Sequence, residues 1–102
     1  MGKIFAGKTT EIVPGKMKKV SVDGREILVA NVDGNFFAVD DSCTHSGSSL
    51  SEGKLDGCTI TCGWHAAEFD CKSGKMTKFP VKIRDLTSYS TCVESDSVFV
   101  EM

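Results

Sequence analysis

Two short motifs carry most of the chemical information in this 102-residue chain: Cys43-x-His45 and Cys62-x-x-His65, with sixteen residues between His45 and Cys62. They contain the only two histidines of the sequence. Two thiolates and two imidazoles, one of each per motif, suit a metal site whose halves differ. An iron–sulfur core of two irons and two sulfides, with two Cys on one iron and two His on the other, has this ligand set. A single tetrahedral zinc ion can take the same four residues. Zinc modules, however, usually draw two Cys from one turn and two His from another element, whereas here each half is mixed. Reading the four as ordinary core or surface residues requires both histidines to fall in the motifs by coincidence.

The ligands of each motif are too close to lie on opposite sides of a core, so each motif is a loop and the two loops must converge. The intervening residues suffice for an outgoing strand, a turn and a returning strand, which would set the loops side by side. Gly47 and Gly63 allow tight backbone within them. Elsewhere the sequence reads as strands: MKKVSV, REILVAN, FFAVD, CTITC, EFDC and SVFVEM are short, β-branched or aromatic runs. Asp23-Gly24, Asp33-Gly34 and Ser73-Gly74 punctuate them as turns, and Pro14-Gly15 breaks the chain before the first long strand. Asp85 to Ser90 is open and reads best as a loop. No apolar stripe of helical period, repeat or linker is present.

The motifs, their gap and their flanks together resemble the Rieske family. The segment CTHSGSSLSEGKLDGCTITCGWHAAEFDCKSGK is similar to the cluster-binding region of Rieske-type ferredoxins, with Leu50, Gly53, Trp64, Phe69, Asp70 and Gly74 in matching places. The resemblance implies an all-β fold, a small antiparallel barrel or sandwich over residues 1–102, with a cluster-binding subdomain of two ligand loops inserted roughly from Asp41 to Phe79. It also implies one [2Fe–2S] cluster held by Cys43, His45, Cys62 and His65. Around the ligands it marks Ser48, Leu50, Trp64, Ala67 and Phe69.

Departures from the family pattern sharpen the expectation. Respiratory Rieske proteins tie their two loops with a disulfide, and the corresponding positions here are Ser48 and Trp64. They also place hydroxyl donors to cluster sulfurs where this chain has Ala67 and Phe69. Two thiolates neutralise the oxidised core where four would leave it negative, so His ligation raises the potential into a range of roughly −150 to +300 mV. Without the hydroxyl donors the low end of that range is expected. The residue after the second Cys, often Pro, is Gly63, and the usual Gly after the second His is Ala66. The resemblance further implies ligation through Nδ1, with the outer imidazole edges at the surface, so the potential is expected to fall with pH once those imidazoles deprotonate. Leu50 and Trp64 sit beside the ligands, where covering the cluster from water and forming an apolar docking surface are both open and are compatible.

Composition bounds the rest. The chain suffices for one modest core, and a formal charge of −2 with interleaved signs gives no footprint for nucleic acid. The opening residues lack the apolar run of a signal peptide and no stretch is long enough to span a bilayer, so a soluble, cytoplasmic protein with no membrane association is expected. Beyond the two ligand cysteines, Cys58, Cys71 and Cys92 form an odd set that reads as reduced thiols acting as small buried hydrophobes. Lys16, Lys18 and Lys19 read as a solvated strand face, and Asp40 and Asp41 as the end of a strand. Pro80 either begins the strand returning to the base domain or, as the Rieske resemblance favours, lies in a proline-containing loop covering the cluster.

The expected function is a one-electron carrier, taking electrons from a reductase and passing them to an oxygenase or similar acceptor protein. A small subunit of a larger oxidoreductase would share fold and ligands. A structural zinc or interaction module is the remaining alternative. A complete Rieske oxygenase is excluded for this sequence, because its mononuclear iron site needs further histidines.

Overall fold

The computed structural model describes residues 2–22, 24–41, 49–63, 67–78 and 85–101. Among these residues the regular structure is β, apart from one 3₁₀ turn, Leu50–Glu52. The strands are β1 (Lys3–Lys8), β2 (Met17–Val22), β3 (Arg25–Val32), β4 (Asn35–Asp40), β5 (Lys54–Asp56), β6 (Thr59–Thr61), β7 (Glu68–Asp70), β8 (Met76–Lys78), β9 (Ser88–Glu94) and β10 (Ser97–Glu101). They form a six-stranded antiparallel sheet in the order β1-β10-β9-β4-β3-β2, nearly closed as a barrel, and a four-stranded sheet in the order β5-β6-β7-β8. The all-β expectation holds.

The pattern of β3 explains how the two sheets share one chain. Ile27 and Val29 point to a core with Ala6, Ile12, Ala38, Val98 and Val100. Their neighbours Leu28 and Ala30 point the other way, into a second core with Val39, Leu50, Ile60, Cys62, Ala67, Phe69, Cys71 and Leu86. A strand buried on both faces carries an unbroken apolar run in place of alternation, which is what REILVANV shows. The first core fills the six-stranded sheet, and the second joins it to the small sheet.

Turn chemistry fixes the registers. Asp33 and Gly34 both have positive φ, at 53° and 90°, so they form the two-residue hairpin that pairs Val32 with Asn35. Gly24 (φ 79°) turns β2 into β3, while Asp23 lies outside the described residues. Asn31 is buried, and both ends of its amide are used. Its Nδ2 donates to the Ile12 carbonyl at 2.6 Å, and its Oδ1 accepts from the Gly34 N–H at 2.8 Å. A polar side chain buried this way must be paired, and the pairing pins the β1–β2 connection to the hairpin.

β1, β8 and β9 are additional to the strands expected from the sequence, and β5 is the outgoing strand for which the connection between the motifs has room. β1 is interrupted by a register shift between Phe5 and Gly7 against β10, while β5 and β8 are three residues each. β9 begins inside the stretch 85–90, of which residues 85–87 carry no regular structure. Its sequence is polar, yet Tyr89 and Ser88 pair with Ala38 and Val39 of β4. The Tyr89 hydroxyl donates to Asp40 Oδ1 at 2.6 Å and accepts from Arg25 at 3.1 Å. Burial, and then the Asp40 hydrogen bond, raise the Tyr89 pKa above the ordinary phenol value. On the outer surface Lys16 and Lys19 are exposed and Lys18 pairs with Glu11 at 3.5 Å, consistent with a solvated strand face.

Candidate metal centre

The connection from His45 to Cys62 contains the strand, turn and strand expected of it. After the 3₁₀ turn, β5 runs out, Gly57 turns the chain with φ 60°, and β6 returns to Cys62. β6 pairs with β7, placing Ile60 opposite Phe69. Beyond these strands the Cys62 N–H donates to the Ala67 carbonyl at 2.8 Å, closing the loop that carries the second motif. Of the four expected ligands, Cys62 lies among the described residues and is buried. Cys43, His45 and His65 lie outside them, as do Ser48, Trp64 and Pro80.

Three of the neighbouring positions can be placed. Leu50, Ala67 and Phe69 are all fully buried in the same apolar cluster as Cys62. Leu50 therefore shields this core and offers no docking surface, which decides for that residue between the two roles considered. Ala67 and Phe69 bring no hydroxyl to the core around Cys62. Hydrogen bonds to sulfur are a main means of raising a cluster's potential.

Asp41 does more than end a strand. Asp40 closes β4 and hydrogen-bonds Tyr89, whereas Asp41 is buried two residues before Cys43 of the first motif. Its carboxylate accepts from the Ser49 hydroxyl and, at 2.8 Å, from the Ser51 N–H. Its carbonyl accepts from the Leu50 N–H at 2.6 Å, and its own N–H donates to the Glu26 carbonyl at 3.0 Å. The residues on either side of the first motif are thereby drawn together. The one sequence signal was a doubled Asp at the end of an apolar strand, which serves equally as strand punctuation.

The cysteine assignment is corrected. Cys58 and Cys71 are joined by a disulfide, with Cα atoms 5.3 Å apart. Cys71 N–H donates to the Cys58 carbonyl at 2.8 Å, so the two residues face each other across β6 and β7 at the base of the hairpin carrying the second motif. Counting cysteines left an odd remainder, but the pairing follows from strand register, which sequence spacing alone does not give. Cys92 remains outside that bridge, half-buried, with its sulfur 3.6 Å from Glu94 Oε2.

Residues 2–90 match the Rieske [2Fe-2S] domain family. The chain belongs to this family. It is 40% identical over 92 residues to the biphenyl dioxygenase ferredoxin subunit of Pseudomonas sp. (strain KKS102), covering 89% of this chain and 84% of that protein. The ferredoxin of Sphingomonas yanoikuyae B1 superposes with a TM-score of 0.90 at 28% identity, over 99% of both chains. A chain from the complex of reduced oxygenase and oxidized ferredoxin in carbazole 1,9a-dioxygenase also gives 0.90, at 30% identity, over 96% of this chain and 91% of that one. Membership of this family supports a [2Fe-2S] cluster over structural zinc, and Leu50, Ala67 and Phe69 form the described surroundings of Cys62.

Two outcomes follow from this environment. Ala67→Ser and Phe69→Tyr are each expected to raise the midpoint potential from a starting value in the lower part of the roughly −150 to +300 mV Rieske range. Voltammetry showing no rise in either variant would contradict the role given to the missing hydroxyls. For the bridge, thiol titration of cluster-free protein unfolded without reductant is expected to give three thiols, the five cysteines less the bridged two. Five would contradict the disulfide, whose loss is expected to cost about 3 kcal/mol of stability for a loop of this size.

Proposed function

We propose that this Rieske chain holds one [2Fe–2S] cluster through Cys43 and Cys62 on one iron and His45 and His65 on the other. The observation that carries the proposal is the placement of Cys62 at the end of a closed β6–β7 loop, buried beside Leu50, Ala67 and Phe69. The donor set fits the group. Two thiolates and two neutral imidazoles suit a cluster that accepts a single electron at moderate potential. The proposed organisation is one domain over residues 1–102, in which residues 41–79 form the cluster-binding subdomain.

The protein is an electron carrier and not itself an enzyme. Its relatives are ferredoxin components of dioxygenase systems, and one structural neighbour comes from a complex of oxygenase and ferredoxin. By this likeness, the carrier receives electrons from a reductase and delivers them to a terminal oxygenase. The cluster supplies the redox change. The chain's own residues limit water at the sulfur side through Leu50, Ala67 and Phe69 and brace the second loop through the Cys62–Ala67 hydrogen bond. Among the described residues no helix is long and apolar enough to cross a membrane. Residence in the cytoplasm is part of the proposal.

Anaerobic titration of the reconstituted protein is expected to take up one electron per chain, with bleaching of its visible absorption. A reductase of a dioxygenase system is expected to catalyse the same bleaching with its nicotinamide donor. A chain that takes up no electron, or that carries zinc without sulfide, would overturn the reading.

A further inference from the structure

The two ligand loops leave different strands, and the disulfide that joins them in respiratory relatives has no counterpart at Ser48 and Trp64. The Cys58–Cys71 bridge cannot replace it, because both ends lie on the hairpin of the second loop. Among the described residues, the short stretch Ser49 to Gly53 physically links the end of the first loop to the start of the second.

One end of that stretch is tied to the start of the first loop. The Asp41 carboxylate accepts from the Ser49 hydroxyl and the Ser51 N–H, and the Asp41 carbonyl accepts from the Leu50 N–H. Ser49 and Ser51 also hydrogen-bond each other at 2.9 Å. The middle is stiffened by the 3₁₀ turn, where the Gly53 N–H donates to the Leu50 carbonyl at 2.9 Å and Leu50 is anchored in the core. The other end rests on the second loop. A Cβ added at Gly53 would overlap the Thr61 carbonyl oxygen and stand 3.2 Å from the Gly63 nitrogen. These are backbone atoms on either side of Cys62, and they cannot swing aside as a flexible side chain could.

The geometry points to Asp41 and Gly53 as positioning residues that set the spacing between the two ligand loops, acting through the 3₁₀ turn as a non-covalent clamp. Asp41 fixes where the first loop begins and ends. Gly53 lets the turn sit directly against the backbone beside Cys62. A change at either residue is expected to alter the separation of the ligands. This inference rests on the ligand assignment proposed above.

The test uses reconstituted full-length protein and reads both cluster release to a chelator and the EPR spectrum of the reduced state. Asp41→Ala and Gly53→Ala are expected to release the cluster about 10–100-fold faster than wild type, the range typical of lost supporting contacts at metal sites. Their remaining signal is expected to show shifted or broadened g values. Asp41→Asn is the rescue. Its carbonyl oxygen can still accept from Ser51, its amide can donate to Ser49, and the Ser49 hydroxyl can turn to Ser51. Release close to wild type is expected for it. Val98→Ala, which removes methyl groups from the other core, controls for general loss of stability and is expected to keep the wild-type spectrum.

Wild-type release and spectra in both Asp41→Ala and Gly53→Ala would overturn the clamp, as would equal acceleration by Val98→Ala. Should either principal variant fail to fold, Ser49→Ala decides. Faster release with an altered spectrum upholds the clamp, and wild-type behaviour overturns it. A wild-type chain that binds no iron–sulfur cluster would instead defeat the ligand assignment, so the two failures are distinguishable.

Discussion

The apolar contact between the two sheets is the constraint on which the rest of the molecule depends. Leu28, Ala30 and Val39 supply one side of it; Leu50, Ile60, Cys62, Ala67 and Phe69 supply the other. The small sheet has only three-residue strands, too short to be stable without a face to bury. Because Cys62 belongs to this contact, packing of the sheets also places the residue proposed as a cluster ligand. Each fully buried side chain of Leu or Phe size in such a contact contributes about 1.5–3 kcal/mol, so truncations here would disturb site and fold together.

Burial on both faces of β3 is what makes that arrangement available to so short a chain. A sheet with one wet face would leave Leu28 and Ala30 exposed; covering them with the small sheet creates a second core without a second domain's worth of residues. The polar groups inside are satisfied locally. Asn31 uses both ends of its amide, and Asp41 accepts from both a hydroxyl and a backbone N–H. Each ties a long connection to a hairpin or a turn, which sidesteps the desolvation cost of an unpaired buried group.

The parts of this organisation that were legible in the sequence are those encoded within a few residues. The strands β2, β3, β4, β6, β7 and β10 showed themselves as apolar or β-branched runs, and Asp33-Gly34 as a turn needing positive φ. The gap between the two motifs pointed to the strand, turn and strand that β5 and β6 form. Less legible was anything decided by contacts between distant segments. The Ser and Thr residues of β9 form a strand because β4 and β10 offer open edges on both sides, and Cys58 meets Cys71 because the β6–β7 register sets them opposite. Asp41 looked like the end of a strand until the Ser49 and Ser51 contacts gave its carboxylate a purpose. Leu50 could have faced solvent or core, and only packing decides.

The central claim is that one iron of the cluster is held by the two histidines of the chain. Pulsed EPR of the dithionite-reduced protein measures this directly, since ligand nitrogens modulate the electron-spin echo. The account predicts couplings from two coordinated nitrogens, both abolished or altered when His45 and His65 are replaced singly. A reduced cluster with no strongly coupled nitrogen, or one whose couplings survive replacement of either histidine, would contradict it.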